Sequence, residues 1–304
     1  MNWTKKNTVL IQATTGVTYQ GCKKEGFQAF HPYKQGGTLL RIVREICFRI
    51  PFLPKTCWYN KEFLNIEAKY FLIWDPLITR HYIEWIHKKY PDAQINFKYA
   101  NMVGNARHLL PAQIPKYVRV WTYDSYDSEK YGINLYKSHM YFPSDVKPLK
   151  EPVCDIFFVG RDKGRGDWLV ELEKKLNQIG IITNFIITAN GKFSERKPYY
   201  KEEIDYSAVT DCLSESRAVL NVVMENQRGI TVRDAEALFF GIKLITTNKY
   251  IKDWELYDPN NIFVLDNETD LQTLKEFLNK PVHKTDKILL DKHTVAGMID
   301  EITN

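Results

Sequence analysis

The feature that most constrains this chain is a repeated alternation. Short apolar, β-rich runs are separated by stretches with helical spacing. In the first half TVLIQAT (8–14), KYFLIWD (69–75), QINFKYANMVG (94–104) and VRVWTYD (118–124) read as strands. Between them LITRHYIEWIHKKYP (77–91) places Ile78, Tyr82, Trp85 and Ile86 on one helical face. SYDSEKYG (125–132) opens like a helix with Ser125 as its N-cap, and 105–116 fits a loop or a single turn. The second half repeats the pattern. CDIFFVG (154–160), IITNFIIT (181–188), IKLITT (242–247) and NIFVLD (261–266) read as strands. DWLVELEKKLNQIG (167–180), VRDAEALFFG (232–241) and DLQTLKEFLNK (270–280) read as helices, and VTDCLSESRAVLNVVM (209–224) as helix then strand. Strands alternating with helices predict βαβ units and parallel sheets.

The stretch KSHMYFPSDVKPLKEP (137–152) interrupts the alternation with prolines, lysines and few apolar residues. It predicts a linker near 145–152. At 304 residues the chain has room for two domains. The expectation is an N-terminal domain over 1–147 and a C-terminal domain over 148–304, with the last helix packing back on the first domain. Both would be α/β and Rossmann-like, facing a cleft. Parallel sheets bind ligands beyond the carboxyl ends of their strands, and clefts between domains are favoured sites.

Composition removes several classes. Hydrophobic content of 44% and charged content of 26% describe a folded chain rather than a disordered one. Cys22, Cys47, Cys57, Cys154 and Cys212 lie far apart with no CxxC pair, which argues against a zinc site and a disulfide framework. A reducing, cytoplasmic setting follows as an expectation. MNWTKKNTVLIQATTG lacks the long apolar run of a signal peptide. No run of about 18 apolar residues reads as a membrane-spanning helix.

Charge is uneven. The first 60 residues hold nine lysines and arginines against Glu25 and Glu45. Such an excess suits anionic lipid or phosphate, and no nucleic-acid motif accompanies it. Within it GTLLRIVREICFRIPFLP (37–54) predicts a helix ended by proline, with Leu39, Leu40, Ile42, Val43, Ile46 and Ile50 beside Arg41, Arg44 and Arg49. That composition suits a helix lying on a membrane surface. It equally suits a packed helix with a solvated basic edge.

Two segments carry chemistry. In FFVGRDKGRGDW (157–168) a strand runs into Gly160, Gly164 and Gly166 and the cations Arg161, Lys163 and Arg165. Glycines let backbone amides approach a phosphate and cations neutralise it. The spacing is neither GxxxxGK[ST] nor GxGxxG, and a solvated basic turn is the alternative. In QRGITVRDAEALFFG (227–241), Gly229, Thr231 and Arg233 stand at the start of a helix, where amides and the dipole favour an anion. Glu236 lies three residues beyond Arg233 on the same face. The pair could hold the phosphate and ribose of a nucleotide, or could simply pair with each other. Together the two segments could flank one diphosphate.

The region 150–270 resembles the donor domain of GT-B fold glycosyltransferases. It is most similar to bacterial polysaccharide and lipopolysaccharide transferases of the CgeB-like group. The matching residues are FFVGRDKGR (157–165), YSAVTDCLSESRAVLNVV (206–223) and GITVRDAEALFFGIKLITTN (229–248). The resemblance implies that Glu236 holds the ribose, that Thr231 and Arg233 hold the phosphates, and that Arg161 closes the phosphate site. One departure stands out. Retaining members often carry Glu-x7-Glu, but Arg228 occupies the first position here, with Glu225 nearby. An inverting mechanism is therefore favoured, with a base from the N-terminal domain. Asp75 and Asp124, each closing a strand, are the candidate bases, and His31 and His81 are further options. Helix capping is the alternative for both aspartates. No metal is expected: Asp124 and Asp127 are three apart and suit a turn. Arg161, Lys163 and Arg233 would stabilise the leaving diphosphate instead.

The resulting expectation is a glycosyltransferase. Its donor would be a nucleotide-sugar, a substrate rather than a cofactor. Its acceptor would be a lipid-linked glycan of a surface polysaccharide such as lipopolysaccharide or capsule. The location would be cytoplasmic, extending to a peripheral position on the inner face of the membrane through 37–54. A nucleotide-sugar epimerase and a non-catalytic nucleotide or glycan binder are the rival readings.

Overall fold

The computed structural model describes residues 2–13, 16–50, 52–104, 109–191, 194–266 and 269–304. Residues 14, 51 and 105–108, which belong to the expected strand 8–14, helix 37–54 and loop 105–116, lie outside the described residues. Contacts divide the chain into two units. Unit 1 is Met1–Ser138 with Val295–Asn304, and unit 2 is His139–Thr294.

Unit 1 contains β1 (Thr8–Ile11), α1 (Val17–Lys24), β2 (Gln28–Phe30), α2 (Thr38–Arg49), β3 (Tyr70–Trp74), α3 (Arg80–Lys89), β4 (Gln94–Lys98), β5 (Arg119–Thr122), α4 (Ser125–Tyr131) and β6 (Asn134–Leu135). The strands form one parallel sheet in the order β2-β1-β3-β4-β5-β6. Every residue of β1 and β3 is buried, as befits strands covered on both faces. Tyr33, Tyr59, Phe63, Tyr82 and Trp85 form an aromatic cluster on one face, with Tyr59 edge-on to Tyr82 at 5.0 Å.

Unit 2 contains β7 (Cys154–Arg161), α5 (Gly166–Gln178), β8 (Thr183–Thr188), α6 (Tyr206–Ser214), β9 (Ser216–Asn221), α7 (Val232–Phe240), β10 (Lys243–Thr246), β11 (Ile262–Val264), α8 (Leu271–Asn279) and α9 (Lys287–Lys292). Its parallel sheet runs β11-β10-β9-β7-β8. Helices cover both faces, giving two apolar clusters around Phe157 and Phe158 respectively. The last helix, α10 (Val295–Thr303), belongs to unit 1. There the Glu301 carboxylate accepts from the Lys137 and Ser138 amides at 2.6 and 2.9 Å.

Several boundaries differ from expectation for local reasons. Helix α3 starts at Arg80 rather than 77, because Leu77 has φ +69° and Thr79 is the N-cap, its Oγ1 accepting from the Tyr82 amide. The N-cap of α4 is Asp124, not Ser125. Helix α2 closes at Arg49, with Ile50 already extended one residue before Pro51. Helix α6 begins three residues early because Asp205 caps it. Among the described residues, no helix is long and apolar enough to cross a membrane.

Candidate functional site

In unit 2 the loop after β7 is organised by Asp162, which the sequence reading passed over. Its Oδ1 accepts from the Gly164 and Gly166 amides at 2.9 and 2.8 Å, and its Oδ2 accepts from Tyr200 at 2.7 Å and Tyr199 at 3.2 Å. Burial opposes ionisation of Asp162, but these hydrogen bonds outweigh it and hold its pKa below the usual carboxylate range. The Lys163 amide donates to Asn190 Oδ1 at 2.7 Å, and the Arg165 amide to the Asp162 carbonyl. This corrects the expectation of an amide cradle: the loop amides already donate within the protein. What the loop offers a ligand is side chains.

The loop cations divide. Arg161, closing β7, is exposed and pairs with Glu203 at 3.1 Å. Lys163 is exposed, at φ +49°. Arg165 turns inward. Its Nη1 donates to the Val222 carbonyl just beyond β9, and its guanidinium lies 5.4 Å from the Phe158 ring centre. Its Nε is buried and has no hydrogen-bond partner among the described residues. Gly160 makes this possible, because a Cβ there would stand 3.2 Å from Arg165 Nη2 and 3.3 Å from Phe158. Burial lowers the Arg165 pKa, Asp162 raises it, and the like charge of Arg233 lowers it again. A cavity of about 300 Å³ opens beside it, lined by Arg165, Trp168, Val222, Thr247, Leu265 and Asp266. These residues sit beyond the carboxyl ends of the strands, where parallel sheets take ligands.

Arg233, whose like charge acts on Arg165, belongs to α7. Thr231 caps the helix, its Oγ1 accepting from the Arg233 amide at 3.2 Å. In return Asp234 accepts from the Thr231 amide at 2.5 Å, completing a capping box. Asp234 is buried, both its oxygens accept from Asn221 Nδ2 at 3.0 Å, and burial raises its pKa. Gly229 precedes the helix in a loop pinned through its carbonyl and that of Arg228 by Asn248. Arg233 Nη1 pairs with Glu236 Oε2, while Tyr206 donates to Glu236 Oε1 at 3.0 Å. Tyr141 lies 3.1 Å beyond, hydroxyl to hydroxyl. Glu236 is fully buried. Burial raises its pKa, against the opposing pull of Arg233 and Tyr206. Of the two openings left by the sequence, the structure shows the Arg233–Glu236 pair. Tyr206 stood in the matching run YSAVT, yet nothing local marked it as the partner of Glu236.

In unit 1 the strand ends collect polar residues. Asp75 follows β3, and its Oδ1 accepts from the Ala100 amide at 2.5 Å. It does not cap α3, since Thr79 does. Asp124 follows β5 and caps α4, accepting from the Tyr126 amide at 2.9 Å. Asp127 anchors the Val103 amide at 2.7 Å. His31 is buried, its Nδ1 3.0 Å from the Gln12 carbonyl, and burial lowers its pKa. His81 is exposed beside Glu84. Lys98, which the sequence left as an ordinary strand residue, closes β4 at 6% exposure. Its Nζ lies 4.7 Å from the Tyr136 ring centre and 5.4 Å from that of Trp74. Burial pushes its pKa down to about 8, against the pull of Asp75.

No family model matches the chain, and no curated protein matches it in sequence. Its fold is similar to solved structures. AviGT4, a glycosyltransferase involved in avilamycin A biosynthesis, matches with a TM-score of 0.50 at 12% identity, over 97% of this chain and 95% of that one. Sucrose-phosphate synthase from Thermosynechococcus elongatus matches with a TM-score of 0.50 at 10% identity, over 89% of this chain and 88% of that one. The likeness shows the fold, two Rossmann-like α/β domains of the GT-B class.

Proposed function

We propose that the chain is a glycosyltransferase that binds a nucleotide-sugar at the strand ends of unit 2 and transfers the sugar to a glycan acceptor. The observation that carries this reading is Arg165. Its buried Nε has no hydrogen-bond partner among the described residues, and it lines a cavity beyond a parallel sheet. A buried unused donor is unfavourable until an acceptor arrives, and a diphosphate supplies one. Gly160 clears the space for Arg165, and Gly229 and Thr231 set the start of α7. Lys163 and Arg161 stand at the exposed rim, where Arg161 would exchange Glu203 for phosphate. Glu236 would hold the ribose if Arg233 swung from it to the phosphate.

Transfer by inversion fits the absence of a carboxylate at Arg228. A carboxylate of unit 1 would take the proton of the acceptor hydroxyl as that oxygen bonds the anomeric carbon. The nucleoside diphosphate would depart with the bonding electrons, stabilised by the two arginines without a metal. Asp75 is the first candidate for this base, because it lies beyond the central strands. Asp124, buried as a helix cap, is the second. The fold similarity to two carbohydrate-active transferases supports the general reaction. The basic α2, with Leu39 75% exposed, and Phe52 beyond it at 85% exposure, support an anionic membrane surface as partner and hence a lipid-linked acceptor.

The test is incubation with UDP-, GDP-, CMP- and dTDP-sugars. Release of one free nucleotide is expected, and Arg165→Ala should weaken that donor's affinity about tenfold or more. An altered sugar still joined to its nucleotide would indicate an epimerase. Tight binding without turnover in the presence of acceptor would indicate a binder.

A further inference from the structure

Unit 1 holds a cavity of about 1050 Å³ between α2 and the loops that follow β1, β2 and β3. It exceeds what a single sugar ring fills. Its wall is of two kinds. Lys34, Arg41, Arg44 and Arg49 bring positive charge, and among the lining residues Glu45 alone opposes them. Ile42, Ile46, Phe48, Leu77 and Ile78 bring hydrocarbon.

Arg44 differs from the other cations. Only 12% of its side chain is exposed, and its guanidinium lies over Tyr33 at 4.9 Å. Its nearest carboxylate is Glu45 at 3.7 Å, beyond hydrogen-bond reach. Its Nε is buried without a hydrogen-bond partner among the described residues. A buried guanidinium with an unused donor is unfavourable unless an acceptor fills it. Tyr33, beneath it, is fixed by donating to the Leu77 carbonyl at 2.8 Å. Leu77 itself is held at φ +69°, in the left-handed region that residues other than glycine seldom adopt.

We propose that this cavity takes the acceptor as a phosphate-headed amphiphile, Arg44 binding the phosphate and the apolar wall covering the adjoining chain. The inference rests on the transfer reaction for the word acceptor, but the binding itself is measurable without it. Neither half of the wall explains the other. A site for free phosphate needs no Ile42, Ile46 or Phe48, and a site for a neutral lipid needs no buried arginine. Membrane contact through the outer face of α2 does not use Arg44, which is turned inward.

The test is calorimetric titration of the full chain with decyl phosphate below its micelle concentration, beside decyl maltoside and inorganic phosphate. Decyl phosphate should bind about tenfold or more tighter than either, the range of one charge-assisted hydrogen bond. Arg44→Gln should remove that preference. Circular dichroism checks the fold of the variant, and the wild-type comparison stands without it. Equal binding of decyl maltoside would overturn the role of phosphate. Equal binding of inorganic phosphate would overturn the role of the chain. Binding seen with phosphatidylglycerol vesicles and not with monomeric decyl phosphate would overturn the cavity in favour of the surface. If decyl phosphate fails while a nucleotide-sugar still releases its nucleotide, this inference falls and the transferase reading stands. If no nucleotide-sugar binds or turns over, the transferase reading falls and the amphiphile measurement is judged by itself.

Discussion

Helices α2 and α7 look alike as sequence and differ in almost every physical respect. Each follows a strand, and each sets arginine, three in α2 and one in α7, among apolar residues. Helix α7 opens on a capping box, closes on Gly241 in the left-handed region at φ +65°, and buries Asp234, Ala235, Glu236, Ala237 and Phe240. Helix α2 opens on Gly37 without a side-chain cap, and of its charged side chains only Arg44 is turned inward. The charges of α7 have partners inside the protein, and most of those of α2 face outward. The first helix is held by its fold, whereas the second leaves apolar surface for something else to cover.

The largest expected effect lies in α7. Arg233→Ala leaves Glu236 buried without its cation and should destabilise the chain by about 3 kcal/mol in urea unfolding. The double variant Arg233→Met with Glu236→Met should recover much of that loss. If it does not, packing rather than charge pairing holds α7. Next comes Asp234→Ala, which removes the capping box and strands the Asn221 amide. About 2 kcal/mol is expected by the same measurement.

A smaller effect of opposite sign tests a buried charge whose desolvation outweighs the pull of Asp75. Lys98→Met should raise stability at pH 7 by about 1–2 kcal/mol. The pKa of Lys98 falls from 10.5 to about 8 in the fold. Between those values the unfolded chain binds more protons than the folded one, so wild-type stability rises with pH through that window. The advantage of the methionine variant should therefore shrink from pH 8 to 10.5. A constant advantage would show that Lys98 is not charged at a cost in the fold. The smallest effect belongs to α2. Leu39→Ser should change stability by less than about 0.5 kcal/mol, while Arg41→Gln with Arg49→Gln should lower binding to phosphatidylglycerol vesicles. Unchanged vesicle binding would sever α2 from the membrane.

The same contrast explains what could be read from the chain alone. The strands KYFLIWD and CDIFFVG and the helix DWLVELEKKLNQIG were legible because their apolar residues recur at a local period. The start of α7 was legible as a helix terminus, and its T-x-x-D signature marks the capping box the fold forms there. The loop after β7 was misread because its glycines suggested amides open to phosphate. Asp162 takes two of those amides, and its own partners Tyr199 and Tyr200 lie almost forty residues further on. Arg165 and Arg44 looked no different from Arg161 and Arg41 until the fold turned them inward.

The sequence by itself determined two α/β halves with parallel sheets, the strand-to-helix turns that carry Arg161, Lys163, Arg165 and Arg233 in the second half, and a basic apolar helix in the first. Periodicity, caps and turn residues act over about four positions, so they are present in the sequence. Only the tertiary structure decided which charges are buried, and with what partners. It gave Glu236 to Arg233 and Tyr206, gave the loop amides to Asp162, and left the Nε atoms of Arg165 and Arg44 unsatisfied beside cavities. The reason is that desolvation depends on segments brought together from far along the chain, and no local pattern records which side chains those will be.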